Sequence, residues 1–274
     1  MSDGNVFLSL IIPAYNEENR IAATLVTVEE YLAGLGKPCE VILVDDGSAD
    51  GTLRAAHEGT RDGVETRAVS YKPNRGKGYA VRQGVLESRG EYVAFSDADL
   101  SAPIDQLSKL FDAIDGGCDI AIGSRAARGA EIPIHQPLYR ELGGKALNLV
   151  IRARAVRGIH DTQCGFKLFK GEAARAVFSK CFLNGWGFDV EVLYLARRMG
   201  YSIDEIPVKW SHAEGSKIHP FQAGIRVLED LIRMRLHDYG PLEGTGNRRE
   251  GNQPRKHEIA KARKGKGGIR KSPD

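Results

Sequence analysis

The sequence predicts an α/β protein with a mostly parallel central sheet and helices on both faces. Two observations carry this: short apolar runs end repeatedly in acidic or polar residues, and helix-length segments separate those runs. Residues 8–12 are the first run, closed by Pro13 and followed by Ala14-Tyr15-Asn16-Glu17-Glu18, polar residues that can open a helix. A helix-like segment over residues 21–32 leads to Val41-Ile-Leu-Val44, which ends in Asp45-Asp46-Gly47-Ser48. Further helix-like segments span residues 53–58 and 79–88, the second entered from the basic turn Asn74-Arg-Gly-Lys-Gly78. The third run, Val93-Ala-Phe-Ser96, enters Asp97-Ala98-Asp99, and Ala121-Ile-Gly123 ends in Ser124-Arg125. Open parallel sheets bind ligands outside the carboxyl ends of their strands, so these polar clusters should converge.

The Asp97-Ala98-Asp99 stretch is the most informative. Alternation along an extended backbone puts both carboxylates on one side, where they can hold one hard cation and leave positions for diphosphate oxygens. Oxygen ligands suit Mg²⁺ or Mn²⁺. Lys77 adds a point charge between two glycines that allow close approach to an anion, without the spacing of a P-loop. Arg125 is a planar donor fork suited to phosphate or to a pair of sugar hydroxyls, or else to a carboxylate partner.

Composition sets limits on the rest. The chain has 274 residues, 42% of them hydrophobic, enough for one domain with a substantial core. Its four cysteines are scattered without a Cys-x-x-Cys pair, which predicts reduced thiols in a cytoplasmic setting and no zinc site. No run approaches the roughly 18 apolar residues of a membrane span, and no signal-peptide pattern opens the chain. The net charge of +3 divides unevenly: residues 241–274 hold ten Lys/Arg and four acids, leaving 29 and 32 in the first 240. That Gly-rich basic stretch is expected to be a disordered tail on a domain over residues 1–240, either simply solvated or drawn to anionic lipid. It has no aromatic residue for base stacking, which argues against nucleic acid as a partner.

Eight strings in order along the chain carry a family resemblance. They are Ile12-Pro-Ala-Tyr-Asn-Glu-Glu18, Val44-Asp-Asp-Gly-Ser48, Asn74-Arg-Gly-Lys-Gly78, Asp97-Ala-Asp99, Gly123-Ser-Arg125, Asp161-Thr-Gln-Cys-Gly-Phe-Lys-Leu-Phe169, Gly187-Phe-Asp-Val-Glu-Val-Leu-Tyr194 and Glu214-Gly-Ser-Lys217. Together they resemble the family 2 inverting glycosyltransferases of the GT-A (nucleotide-diphospho-sugar transferase) fold. Within that family the likeness is to the polyprenyl-phosphate sugar synthases, particularly those that glucosylate dolichyl phosphate. The resemblance implies transfer of a hexose, glucose from UDP-glucose, to a polyprenyl phosphate. It implies that Pro13, Ala14 and Tyr15 line the base and ribose pocket, with Val44 beside them, that Glu17 accepts from ribose hydroxyls, and that Asp46 accepts from a base N–H. Both uracil and guanine offer such donors. It implies Asp99 as the more direct metal ligand and a catalytic residue, Asp97 nearer the ribose or metal-bound water, and Ala98 as part of the donor site. Ser101 stands where some lipid-phosphate mannose synthases carry a Gln ligand.

The acceptor question turns on Asp161, Asp189 and Glu191. An alcohol acceptor needs a carboxylate base within hydrogen-bond reach, whereas a phosphate monoester is mostly dianionic at neutral pH and needs cations instead. Lys167, Lys209 and Lys217 are candidate cations for acceptor phosphate or diphosphate, Asp161 is a positioning group or a base, and Asp189 and Glu191 either orient the lysines or serve structure. Residues 140–157 and the stripe Phe221, Ile225, Leu228, Leu231, Ile232 are basic and amphipathic, suited to the bilayer interface or to packing on the sheet. This predicts a cytoplasmic protein, free or peripheral on a membrane. The competing enzyme readings are a GDP-mannose-dependent synthase, a transferase to a soluble acceptor, and a nucleotidyltransferase; the competing binding reading is a nucleotide-sugar or RNA-binding protein without turnover. The histidines form no metal spacing, His212 alone standing near the acceptor region, and oligomeric state is not legible.

Overall fold

The computed structural model describes residues 6–60, 63–134, 156, 158–211 and 220–242. In chain order its strands are β1 (Leu8–Ala14), β2 (Cys39–Asp45), β3 (Glu65–Ser70), β4 (Tyr92–Ser96), β5 (Ile120–Ser124), β6 (Glu131–Ile134), β7 (Phe166–Lys170), β8 (Ile203–Pro207) and β9 (Lys209–Ser211). The helices are α1 (Ile21–Gly34), α2 (Thr52–Gly59), α3 (Lys77–Glu87), α4 (Leu107–Asp115), α5 (Gly171–Phe178), α6 (Phe188–Arg198) and α7 (Pro220–Leu236). Seven strands form one sheet in the order β3-β2-β1-β4-β7-β5-β8, and β6 pairs with β9 in a separate parallel ribbon.

Strand alternation divides the core. Leu10 and Ile12 of β1 join Leu43 and the buried faces of α1, α2 and α4, while Ile11 joins Val44 and the faces of α3, α5 and α6. The inner strands β1, β2, β4 and β5 therefore bury both faces, which is why they read as continuous apolar runs. Helix α1 supplies Ile21, Leu25, Val28 and Leu32, spaced at one face of a 3.6-residue period. Four phenylalanines, Phe95, Phe169, Phe178 and Phe188, fill the opposite layer with ring centroids 5.8–6.5 Å apart.

Two features of the topology position the site. The chain lays β1, β2 and β3 in one direction and then crosses back to place β4 on the other side of β1, so the strand order reverses between β1 and β4. Loops leaving the two strands at such a point diverge to opposite faces and open a crevice at their carboxyl ends. Strand β7 is antiparallel to both β4 and β5, with Phe95 opposite Lys167 and Ser96 opposite Phe166. Its amino end therefore lies at the carboxyl ends of β4 and β5, bringing the preceding residues 161–165 to the same edge.

The amphipathic stripe after residue 220 is helical, but its apolar positions divide. Val227, Leu231 and Met234 are buried in the core cluster that includes α6, while Leu228, Ile232 and Leu236 are exposed. The other amphipathic stretch, residues 140–157, lies almost wholly outside the described residues, as do His212, Lys217 and the basic tail beyond residue 242. Among the described residues no helix is long and apolar enough to cross a membrane.

Candidate active site

At the carboxyl end of β1 the backbone turns through Asn16, whose φ of 55° is held by a reciprocal lock: Asn16 N–H donates to Ser48 Oγ at 2.9 Å and Ala49 N–H to Asn16 Oδ1 at 2.9 Å. Glu17 N–H donates to Thr52 Oγ1 at 2.8 Å, and the Glu17 carboxylate pairs with Arg20 at 2.8 Å. Pro13 is half-buried, Ala14 is buried, and Tyr15 is 46% exposed, so core packing does not account for its ring. Val44 differs from its expected place at the ligand. Its side chain is wholly buried, and its backbone stands in register with both Pro13 and Val69 within the sheet.

Asp46 has a different employment from the one its position suggests. Its carboxylate accepts from Arg75 N–H at 2.7 Å, Gly76 N–H at 2.8 Å and Asn74 Nδ2 at 2.8 Å. The anion cradled by the glycine-rich turn is thus this side chain. Gly76 has φ of 101°, and a Cβ there would lie 2.5 Å from the Asn184 carbonyl, so only glycine fits. The effect is to fix Lys77 as the first residue of α3, where it reaches across the crevice to pair with Asp97. Burial alone would lower the Lys77 pKa, but the charges of Asp97 and Asp189 outweigh it and hold the ammonium above its ordinary value.

Asp97 and Asp99 follow β4 directly. Asp99 Oδ1 accepts from Ser101 N–H at 2.9 Å, a two-residue turn closed through Leu100 at φ 46°, and Ala98 is buried with its carbonyl accepting from Thr24 Oγ1 at 2.6 Å. Gly165 packs against the Asp97 carboxylate so closely that a Cβ would overlap it. Among the described residues no three His, Cys, Asp or Glu side chains converge as a metal cage. Two half-exposed carboxylates nevertheless fit Mg²⁺ or Mn²⁺, which keep several ligand positions for water and substrate phosphate rather than requiring an all-protein shell.

Asp161 meets Arg125 in a bidentate pair, Nε to Oδ2 at 2.7 Å and Nη2 to Oδ1 at 2.8 Å, while Arg125 N–H adds a third bond at 2.9 Å. Glu205 of β8 anchors the loop by accepting from the backbone N–H groups of His160 and Asp161, each at 2.8 Å. Burial would raise the Asp161 carboxyl, but the Arg125 charge and hydrogen bonds, with Lys167 behind them, hold it below the ordinary carboxylate range. The guanidinium lies 5.3 Å from the Trp210 ring centroid. The sign of the pH effect follows from that lowered pKa. The pair contributes its full stability above the unfolded value near pH 4 and gives it up as pH falls through the native value. Urea melts should therefore show Asp161→Asn losing less stability than the wild type between pH 5 and pH 3; equal losses would remove Asp161 from the acid limb.

Lys167 cannot meet an acceptor in this arrangement, because it is wholly buried and donates to Asp189 Oδ1 at 2.5 Å and to the Cys164 carbonyl at 2.5 Å. Burial raises the Asp189 carboxyl pKa despite the opposing charges of Lys167 and Lys77. Glu191 orients no lysine: it accepts from Leu183 N–H at 2.9 Å and Tyr239 O–H at 2.8 Å, tying α6 to the segment before it and to the chain after α7. Lys209 is exposed on β9, whose neighbour Ser211 donates its N–H to the Ser101 carbonyl at 2.8 Å, so the ribbon closes over the loop after Asp99. Sequence reasoning missed Glu205 and Gly165 as individual site builders. Gly165 lies within the Asp161–Phe169 motif, whereas nothing local marks Glu205.

Residues 9–178 match the family model described as Glycosyl transferase family 2. The chain belongs to glycosyltransferase family 2. It is 37% identical to a dolichyl-phosphate beta-glucosyltransferase of Saccharomyces cerevisiae over 85% of this chain and 75% of that one. The human protein of the same description is 37% identical over 84% and 75% respectively. Among solved structures, glucosyl-3-phosphoglycerate synthase from Mycobacterium tuberculosis with Mn²⁺, UDP-glucose and phosphoglyceric acid superposes with a TM-score of 0.62 at 19% identity, covering 85% of this chain and 81% of that one. That likeness bears out the GT-A fold, and the family match bears out the resemblance read from the motifs.

Proposed function

We propose that this chain transfers glucose from UDP-glucose to a dolichyl or other polyprenyl phosphate, with inversion at the anomeric carbon. The observation that carries the acceptor half is the state of the carboxylates. Asp161 is bound by Arg125, Asp189 by Lys167, and Glu191 by backbone N–H groups and the Tyr239 hydroxyl, so none of the three is presented as a free base. A nucleophile arriving here must already be ionised, as a phosphate monoester is at neutral pH. The relatives named as dolichyl-phosphate beta-glucosyltransferases support the same acceptor and a glucosyl donor.

In this reading Asp97 and Asp99 hold a Mg²⁺ or Mn²⁺ ion that stabilises charge developing on the departing diphosphate. Lys77, at the amino end of α3, adds its charge and the helix dipole on the same side. Tyr15 and Pro13 wall the nucleoside, Glu17 bonds the ribose, and Asp46 acts by fixing the turn that carries Lys77. Arg125, held by Asp161, orients its remaining N–H groups toward sugar or phosphate, and exposed Lys209 draws the acceptor phosphate.

The lipid part of the acceptor calls for a membrane surface. Leu228, Ile232 and Leu236 form an exposed i, i+4, i+8 stripe on α7 with Arg226, Arg233 and Arg235 beside it, the composition of an interfacial helix. The basic residues of 241–274 would add attraction to anionic head groups. Replacing Ile232 and Leu236 by Ser should lower binding to phosphatidylserine vesicles by at least about tenfold in sedimentation, since two apolar side chains leave the interface, and should leave turnover on a water-soluble short-chain acceptor intact. Unchanged sedimentation would remove α7 from the membrane contact.

The reading is tested by nucleoside diphosphate release from UDP-glucose and GDP-mannose with Mg²⁺, with and without a short polyprenyl phosphate. UDP release that depends on the lipid phosphate is expected. Lipid-dependent GDP release would reassign the donor, and release indifferent to the lipid would exclude the lipid acceptor.

A further inference from the structure

Lys77 is the cation that Asp97 holds in this structure, and a divalent ion at Asp97 and Asp99 would have to share that carboxylate with it. The pair is sheltered, with the Lys77 side chain 14% exposed and the Asp97 side chain 35% exposed. The ammonium also lies 5.2 Å from the Trp186 ring centroid, within cation–π range. Asp189, a second acid whose charge acts on Lys77 together with that of Asp99, already has a short contact to Lys167. Three carboxylates, Asp97, Asp99 and Asp189, thus face two ammoniums, Lys77 and Lys167, with the Arg125–Asp161 pair beside them.

We infer that Lys77 acts as a built-in competitor for the metal site, keeping a divalent cation weakly bound until a nucleoside diphosphate takes over its ammonium. A dication beside a retained lysine meets like-charge repulsion in a partly buried site, where screening is weak. A diphosphate removes that conflict by giving Lys77 a new anionic partner while offering the metal oxygen ligands of its own. The exchange requires only rotation of the lysine side chain. The backbone at the start of α3 is pinned by the three donors to Asp46 and by Tyr79 N–H on the Asn184 carbonyl at 3.2 Å. Metal and nucleotide then bind with strong mutual cooperativity, which linkage makes equal in both directions. The inference rests on the donor-site reading given above and adds an order of assembly to it.

Full-length protein titrated with Mn²⁺, followed by the electron paramagnetic resonance signal of the free ion, tests this without turnover. The wild type should bind Mn²⁺ weakly alone and far more tightly with UDP. Lys77→Met should bind Mn²⁺ alone about tenfold more tightly and UDP, at saturating Mn²⁺, about tenfold more weakly. Those opposite signs are not what a merely structural lysine would give, since its loss would weaken both. Lys77→Arg, which keeps the charge, should retain weak binding of Mn²⁺ alone, and Lys77→Gln repeats the test should Met disturb the Trp186 contact. Unchanged or weaker binding of Mn²⁺ alone by both neutral variants overturns the inference. Failure of the wild type to bind Mn²⁺ even with UDP would overturn the donor-site reading and the inference with it.

Discussion

Asp99→Ala should yield a folded protein whose turnover is lower by about 10³-fold or more, the scale of losing a principal electrostatic contact to the charge that develops in the transition state. The expectation follows from how Asp99 is held. It stands at the carboxyl end of β4, partly exposed, and its Oδ1 accepts from the Ser101 N–H at 2.9 Å. Of the other candidate acids, Asp97 is held by Lys77, Asp161 by Arg125 and Asp189 by Lys167, while Glu191 accepts from Leu183 N–H and Tyr239 O–H. Asp99 is therefore the carboxylate most available to a metal, and its loss breaks no ion pair among the described residues. Its melting temperature should stay within a few degrees of the wild type, as is usual for a partly exposed side chain whose removal leaves no buried group unpaired. Turnover near the wild-type rate would take Asp99 out of the diphosphate chemistry.

The site was legible in the sequence where local pattern suffices, and illegible where function depends on a distant partner. Strands β1, β2 and β4 announce themselves because an apolar run meets acids or a turn, and the same junctions are the ligand-facing ends. Strand β3, Glu-Thr-Arg-Ala-Val-Ser, has no such run, because as an edge strand it is only half-buried. Strand β7 hides for a different reason. Its Phe-Lys-Leu-Phe-Lys sequence contains a lysine that is wholly buried, and apolar periodicity cannot show that Asp189, 22 residues on, supplies the opposite charge. Asp46 illustrates the same limit. An acid at a strand's end suggests a ligand acceptor, and only the folded chain reveals that residues 74–76 have already occupied it.

These distant partners share a physical purpose. A transferase that must stabilise a departing diphosphate needs cations and acids close together without collapse into arbitrary pairs. The antiparallel β7 meets this need by inserting its amino end between β4 and β5, which sets Gly165 against Asp97 and Lys167 beneath the loop. Glu205 then holds the backbone of residues 160–161 from β8, so that Arg125 and Asp161 meet in one geometry. Preorganised charge of this kind costs no reorganisation at the moment of reaction.

Lys167→Met should be the most destabilising single substitution at the site. Removing one member of a buried ion pair leaves the other charged or forces it to take up a proton, at a cost of about 3–5 kcal/mol. Here it also takes a donor from the Cys164 carbonyl, in the loop that presents Gly165 to Asp97. The double substitution Lys167→Met with Asp189→Leu removes both charges and leaves apolar groups among Phe95, Phe169 and Phe188, so urea midpoints should recover most of the loss. Turnover should not recover with it, because Asp189 is one of the acids whose charge holds Lys77 in place. A double variant as unstable as the single one would mean that the cavity and the freed carbonyl, rather than the unpaired carboxylate, set the cost. Recovery of both stability and turnover would mean that the Lys167 and Asp189 charges serve neither the fold nor the chemistry, and that packing alone is required at the centre of β7.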